Sequence, residues 1–427
     1  MRLTHLSLHN FRNYVRLDLD LEPGVTVLLG DNAQGKTNLL EAIFYLATSR
    51  SPHAGADREL VSWQVADREP IPYARLVGRV ARRTRPTSSP SLLPAGSTPS
   101  SSPLPAGAAL SSSPLPAGGI EGGYASEWTI EITLTQETNN GARYRKQIRL
   151  NGVPRRAMDL LGHLNVVLFL PEDIALVYGA PGLRRRYLDV TLCQIDPPYC
   201  AALARYNEVV SQRNALLRDM GERGGDPDQL RFWDERLVQD GSYLVDRRRR
   251  AIVALDELAH RVHAELTDGA ERLHLRYLPS VEVSAPVGVH AIAGTFHGQL
   301  QAQRRREIAA GVTLIGPHRD DVRFLIDEAD AGIYGSRGQQ RTAALALKLA
   351  EVDLMQRETG EQPVLLLDDV LSELDAQRRH FLVHRLNDGL EQALVTATDP
   401  HVFPPDFLGR CCVWNVQLGQ LSEVTRK

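Results

Sequence analysis

Gly30-Asp31-Asn32-Ala33-Gln34-Gly35-Lys36-Thr37 decides the reading of this chain. The octapeptide fits GxxxxGK[ST], in which the backbone N–H groups of a glycine-rich turn curl around phosphate oxygens. The lysine sets a point charge against the β- and γ-phosphates, and the hydroxyl after it can hold Mg²⁺. Both flanks agree with such a loop. Val25-Thr26-Val27-Leu28-Leu29 is the continuous apolar run of a buried strand. Leu39, Leu40, Ile43, Phe44 and Ala47 then recur at helical spacing. A phosphate held there meets a helix N-terminus, where orphan N–H groups and the dipole favour anions. A chance glycine-rich turn would require neither flank.

Two further constellations lie far along the chain. Asp368-Asp369 closes the apolar strand Val364-Leu365-Leu366-Leu367. The first acid of such a pair serves Mg²⁺, and the second orients or activates the attacking water. Read alone, the pair is equally a helix cap after a core strand; beside a P-loop the catalytic reading prevails. Ser336-Arg337-Gly338-Gln339-Gln340-Arg341 precedes a strong helix over about residues 342–357. A small hydroxyl and a glycine at a helix start make a second anion-binding end. One chain needs one cradle for its nucleotide, so a second implies a phosphate bound by another subunit. The plain alternative is a capped helix. Leu394-Val395-Thr396-Ala397-Thr398-Asp399 repeats the shape of a strand ending in acid.

Around these motifs the pattern is α/β. Leu3, His5 and Ser7, then Val15-Arg16-Leu17-Asp18-Leu19-Asp20-Leu21, alternate with period two, as does Trp128-Thr129-Ile130-Glu131-Ile132-Thr133-Leu134. Between them, residues 83–123 are rich in Ser, Pro and Gly, and SSSPLPAG occurs twice, at 100–107 and 111–118. Such a stretch cannot bury a core, and it reads as a disordered insertion between strands. From about residue 182 to 306 the spacing turns helical, broken at Gly221-Glu222-Arg223-Gly224-Gly225. The expected fold is therefore an α/β P-loop ATPase lobe carrying an inserted, mainly helical second lobe. Residues 1–170 and 309–427 form the first, and 171–308 the second.

A net charge of -3 excludes a global basic field, so any contact with nucleic acid must be local or built by assembly. The candidate patches are Arg184-Arg185-Arg186, residues 247–250 and Arg304-Arg305-Arg306. For each, the alternative is a solvated helix face balanced by acids. No aromatic RNA-binding motif or zinc finger is visible, so base-specific reading is not expected. Cys193, Cys200, Cys411 and Cys412 form no CxxC and read as reduced thiols. With no signal core and no membrane-length apolar run, a soluble, cytoplasmic protein is expected.

Taken in order, these motifs resemble those of the ABC-type ATPases, the class that includes the SMC proteins. Within it the chain is similar to the RecF family. Asn10-Phe11-Arg12-Asn13-Tyr14 resembles that family's opening, and the P-loop resemblance extends through Asn38-Leu39-Leu40-Glu41-Ala42. Phe169-Leu170-Pro171-Glu172-Asp173, the segment from Gly182 through Asp189, and Gly316-Pro317-His318-Arg319-Asp320-Asp321 continue it. Leu367-Asp368-Asp369-Val370-Leu371-Ser372-Glu373-Leu374-Asp375 completes it. The Ser/Pro/Gly stretch is the one large departure.

The resemblance implies ATP with Mg²⁺, an ATP-dependent homodimer, and DNA as ligand, both duplex and single-strand/duplex junctions. It implies action with RecO- and RecR-like proteins in recombinational repair and replication restart, loading the recombinase at gaps. It also implies slow, DNA-stimulated hydrolysis. By motif match, the loop from Gly30, Asp31, Asn32, Ala33, Gln34, Gly35 and Lys36 to Thr37 and Asn38 would hold the nucleotide. Thr37 and Asp368 would serve the metal, with Lys36, Asp368 and Asp369 catalytic. Arg12 and Asn13 would reach the nucleotide from the N-terminal strands. Ser336, Gly338 and Gln339 would meet the γ-phosphate of the opposite subunit, and Asp375 would cross the joint. Thr398-Asp399 sits where the class carries its switch residue, usually histidine.

Other readings stay open at this point. One is an ATP-binding scaffold or another SMC-like repair ATPase. Another is a transporter ATPase subunit, against which the resemblance at residues 316–321 speaks. A nuclease of the overcoming-lysogenization type would need an added metal-binding domain, for which little chain follows Asp399.

Overall fold

The computed structural model of the chain describes residues 1–63, 71–83, 124–137, 143–282, 288–387 and 389–424. The expected insertion, apart from Arg83, lies outside the described residues.

In chain order the first strands are β1 Arg2–Phe11, β2 Tyr14–Asp20, β3 Gly24–Leu29, β4 Tyr73–Arg83, β5 Tyr124–Gln136, β6 Tyr144–Leu150, β7 Val153–Arg155 and β8 Val166–Phe169. They are followed by β9 Leu273–Leu278, β10 Asp321–Ile326, β11 Ala329–Asp330, β12 Val364–Leu367, β13 Gln392–Ala397, β14 Cys412–Gln417 and β15 Gln420–Glu423. The longer helices are α1 Lys36–Thr48, α2 Pro181–Ile195, α3 Pro197–Arg223, α4 Arg231–Leu266, α5 Val289–Ala310, α6 Arg337–Thr359 and α7 Ala376–Asn387.

The period-two segments become an antiparallel sheet in the order β2-β1-β4-β5-β6-β7. The continuous apolar runs, as β3 and β12, join β8, β13, β14 and β15 in the second sheet, ordered β15-β14-β3-β13-β12-β8 and parallel except for β15. Runs without polar residues fit a sheet covered on both faces, because successive side chains point to opposite sides. Val167, Leu365 and Val395 pack on one side with Leu255 of α4 and Leu345 of α6. Val166, Leu366 and Leu394 pack on the other with Leu39 and Ile43 of α1 and with Leu6, Leu76 and Ile132 of the antiparallel sheet. The phosphate-loop helix is thereby clamped between two sheets. Leu39 and Ile43 are fully buried, and removing either side chain to Ala would cost about 2–5 kcal/mol.

β8 and β12 pair in parallel, Val166 opposite Val364 and Phe169 opposite Leu367. Residues 170–363 thus leave and return at one strand boundary, and most of them build the helical lobe. Its core includes Tyr206, Leu237, Leu244 and Phe296. Arg213, fully buried, ties three helices together: it bonds Asp234 of α4 at 2.9 Å and Glu307 of α5 at 2.6 Å. Removing one partner from such a buried cluster leaves uncompensated charge, at about 3–5 kcal/mol. One segment departs from the helical expectation. Leu273 and Leu275 alternate with His274 and Arg276, a period-two signal, and form β9, paired antiparallel with β10. Among the described residues no helix is long and apolar enough to cross a membrane.

Candidate functional site

The loop between β3 and α1 is shaped by its glycines. Gly35 caps α1 at φ 115°, and a β-carbon there would lie 2.5 Å from the Asn13 side-chain nitrogen. At Gly30 a β-carbon would lie 2.3 Å from the Val416 carbonyl oxygen. Neither position admits a side chain. The loop is braced from both sides by bonds that sequence spacing does not reveal. The Gln34 carbonyl accepts from Asn13 Nδ2 at 2.9 Å and from the Gly419 N–H at 2.9 Å. Gln34 Oε1 accepts from the Leu418 N–H at 2.8 Å.

A cavity of about 260 Å³ opens on this loop, lined by Asn32, Ala33, Gly35, Lys36, Thr37, Asn38, Pro171, Asp368 and Asp369. Two motifs separated by 331 residues therefore share one wall. Thr37 Oγ1 donates to Asp368 Oδ2 at 2.6 Å, and Thr396 Oγ1 of β13 donates to Asp368 Oδ1 at 2.7 Å. Thr396 also accepts from the Asp369 N–H at 2.9 Å. β13 lies between β3 and β12, so its threonine locks the acid pair beside the loop. Asp369 sits at φ 50°, in the left-handed region. Its Oδ1 is buried with no hydrogen-bond partner among the described residues. Asp369 thus joins a left-handed backbone to an orphan carboxylate oxygen on the wall of the cavity. Lys36 Nζ donates to the carbonyls of Gly30 and Asp31 at 2.6 and 2.8 Å. Burial lowers its pKa, while the charges of Asp369, Asp368 and Asp31 act the other way.

Arg12 and Asn13 reach the loop and its helix, and neither lines this cavity. Arg12 Nε and Nη2 grip the carboxylate of the buried Glu41 on α1, both at 2.8 Å. Asn13 Oδ1 accepts from Asn38 Nδ2 at 2.8 Å. Thr396, Glu41 and Pro171 are site residues that the motif reading did not assign. Glu41 and Pro171 lie within segments that carry the family resemblance, and Thr396 within a strand that ends in acid, but none was given a role.

Ser336 and Gly338 are exposed and do not line the cavity. The helix starts earlier than the sequence spacing gave, at Arg337. Ser336 Oγ accepts from the Gln339 N–H at 3.2 Å, and Gln339 Oε1 accepts from the Ser336 N–H at 2.8 Å. That reciprocal capping box places Gly338 and Gln339 in the first helical turn. Beside it, Ile333 and Tyr334 are 71% and 77% exposed. Asp375 precedes α7 and accepts from the Arg378 N–H at 2.9 Å, and that bond holds its carboxyl below the usual carboxylate range. The Asp399 carboxylate accepts from the His401 N–H at 2.8 Å, a turn cap.

The arginine clusters divide. Arg184 pairs with Asp321, Arg247 with Asp196, Arg248 with Asp189 and Asp320, Arg249 and Arg250 with Asp246, and Arg304 with Asp234. Arg184, Arg247, Arg248 and Arg304 thereby spend their charge inside the lobe, whereas Arg249 and Arg250 share the one Asp246 carboxylate. Among the described residues, Arg185 and Arg186 bond only main-chain carbonyls, of Asp320 at 2.7 Å and Ser51 at 3.0 Å. With Arg50 they line a cleft of about 550 Å³ that reaches from Thr48 to α3.

Across 99% of its length and 99% of the relative's, the chain is 43% identical to the DNA replication and repair protein RecF of Chloroflexus aurantiacus. The chain belongs to the RecF family. It is 45% identical to the RecF of Roseiflexus castenholzii, again across 99% of both. Residues 5–152 match the AAA-domain family. A solved structure of the recombination mediator protein RecF with ATP, in the RecFOR pathway, superposes with a TM-score of 0.78 at 31% identity. That match covers 99% of this chain and 97% of the other. An SMC head bound to the C-winged helix domain of ScpA, at 14% identity and a TM-score of 0.50, shares the fold alone. The RecF-family architecture is thus a P-loop ATPase head with a helical lobe.

Proposed function

We propose that this chain is an ATP-controlled DNA clamp of recombinational repair. Two copies close head to tail around two ATP molecules, at gapped DNA and with RecO- and RecR-like partners. The observation that carries this reading is the split site. The cradle, its lysine and both acids share one cavity, whereas the capped turn at Ser336 is exposed and lines none of it. A second subunit would bring Ser336 and Gly338 to the γ-phosphate, with Asp375 at the joint. The γ-phosphate then makes contacts in the closed state that the open state lacks, as any ligand-driven switch requires.

Hydroxyl and carboxylate oxygens at Thr37 and Asp368 are the hard donors that Mg²⁺ prefers. Held there, Mg²⁺ would neutralise charge on the β- and γ-phosphates. Lys36 turns from its loop carbonyls to the phosphates. Asp369, with its unpartnered oxygen, orients the attacking water and accepts its proton. Hydrolysis removes the γ-phosphate contacts and the joint opens, so turnover is slow and acts as a timer. DNA phosphates meet Arg50, Arg185 and Arg186, which form no ion pair among the described residues, and binding weakens steeply with salt.

The test is sedimentation with ATP and Mg²⁺, joined to DNA binding on duplex, gapped and single strands with and without ATP. Dimers and ATP-dependent binding are expected. A chain that stays monomeric at every concentration sinks the clamp. Arg185→Glu should lower the slope of log affinity against log salt by about 0.9 per lost phosphate contact. Arg250→Glu, already paired with Asp246, should leave the slope unchanged.

A further inference from the structure

The turn that ends α4 touches both elements assigned above to the joint. Thr267 follows the helix, and Asp268 and Gly269 take left-handed φ values of 49° and 74°. The turn delivers two carboxylates. Glu271 Oε1 accepts from Gln339 Nε2 at 2.8 Å, and Asp268 Oδ2 accepts from Gln377 Nε2 of α7 at 2.6 Å. Gln339 is the residue whose side-chain oxygen caps the Ser336 N–H. Its amide is therefore used at both ends, Oε1 toward Ser336 and Nε2 toward Glu271. On the far side of Glu271 stands His263 of α4, fully buried, its Nε2 3.7 Å from Glu271 Oε2. Both ring nitrogens of His263 and the Glu271 Oε2 lack hydrogen-bond partners among the described residues. A further brace joins the two joint elements to each other: Arg341 of α6 pairs with Glu373 at 2.8 Å, two residues before Asp375.

We propose that Glu271 is a positioning residue for the turn at Ser336. It fixes the Gln339 amide, which fixes the Ser336 main chain, and so the helical lobe sets the part of the site offered to a second subunit. A free Gln339 side chain would sample several rotamers and break the capping box part of the time. Because α4 also carries the helical lobe's core, a shift of that lobe is transmitted to Ser336 through one carboxylate. The proposal rests on the reading of Ser336 as facing the partner's nucleotide, and its test has one arm that does not.

That arm is amide hydrogen exchange in the full-length chain without nucleotide, read at the amides of Gln339 and Gln340. Glu271→Ala should raise exchange there about tenfold, the worth of one hydrogen bond. Glu271→Gln keeps an acceptor oxygen and should restore most of the protection. Glu271→Ala added to Gln339→Ala should change nothing further, because the two act in series. The second arm is the ATP-dependent dimer constant. Glu271→Ala should weaken it about tenfold per site while fluorescent-ATP affinity of the monomer holds. Unchanged exchange in a folded Glu271→Ala chain, or additive effects with Gln339→Ala, overturns the proposal. A wild-type chain that never dimerises overturns the clamp instead, and exchange still judges Glu271.

Discussion

The helix starts of α1 and α6 both offer backbone N–H groups, and they are built on opposite plans. At α1 the cap is Gly35, with no side chain to compete for the N–H groups, and the surroundings hold Lys36, Asp368 and Asp369 on one wall. At α6 the cap is Ser336, closed by its own box with Gln339, exposed, and supported from behind by Glu271. The first start is complete within one chain: loop, lysine and acids arrive from β3, β12 and β13. The second holds its shape through Gln339 and Glu271, and it lines none of the nucleotide cavity. On the proposed reading, the first binds the nucleotide and the second recognises it once bound to a partner subunit.

The largest expected effect would sharpen the first half of that contrast. Asp369→Asn keeps the shape and removes the base. Single-turnover hydrolysis should fall on the order of 10²–10⁴-fold, and the ATP dimer should outlive the wild type's. Equal lifetimes would remove Asp369 from its role. Ser336→Arg addresses the second half. A buried unpaired charge at the joint should cost about 2–5 kcal/mol of dimer stability, with monomer ATP affinity unchanged. An unaltered dimer constant would make the Ser336 turn an ordinary cap. Thr396→Val removes a bond to each of the two acids, and calorimetry of ATP binding with Mg²⁺ should show a loss of about 1–3 kcal/mol. No loss would mean that the acid pair is held by its strand alone.

The smallest effect concerns pH. Asp375 is held below its usual value of 3.8, first by the Arg378 N–H. A carboxylate with a depressed folded pKa stabilises fully above its unfolded value. That contribution is lost as pH falls through the lowered one. The loop should therefore be indifferent to pH between about 5 and 8, and the Asp375→Asn dimer should show the same flat profile at a modestly weaker constant. A wild-type dimer that loosens on going from pH 7 to 5 would place the titrating group elsewhere.

The P-loop, the acid pair and the serine-glycine turn were legible because each is local: its chemistry and its strand or helix lie within a dozen residues. The two-sheet core was legible in part: period-two and continuous apolar runs marked strands, but their division into an antiparallel and a parallel sheet was not read from them. What the sequence hid is long-range. Nothing near Asp368 says that Thr396 will hold it, and nothing near Gln34 says that Asn13 and Gly419 will brace it. The arginine runs misled for the same reason. Arg248 reads as surface charge, yet it is buried between Asp189 and Asp320, partners that lie on other elements. Leu273–Leu278 was absorbed into a helical stretch because six residues of alternation are outweighed by the helices around them.

The most direct test of the split site mixes two inactive chains. Lys36→Ala destroys the cradle and keeps Ser336, while Ser336→Arg does the reverse. A mixed dimer carries one joint in which an intact cradle faces an intact serine turn. The split site predicts that the mixture hydrolyses ATP when neither chain does so alone. A mixture as silent as its components would contradict it.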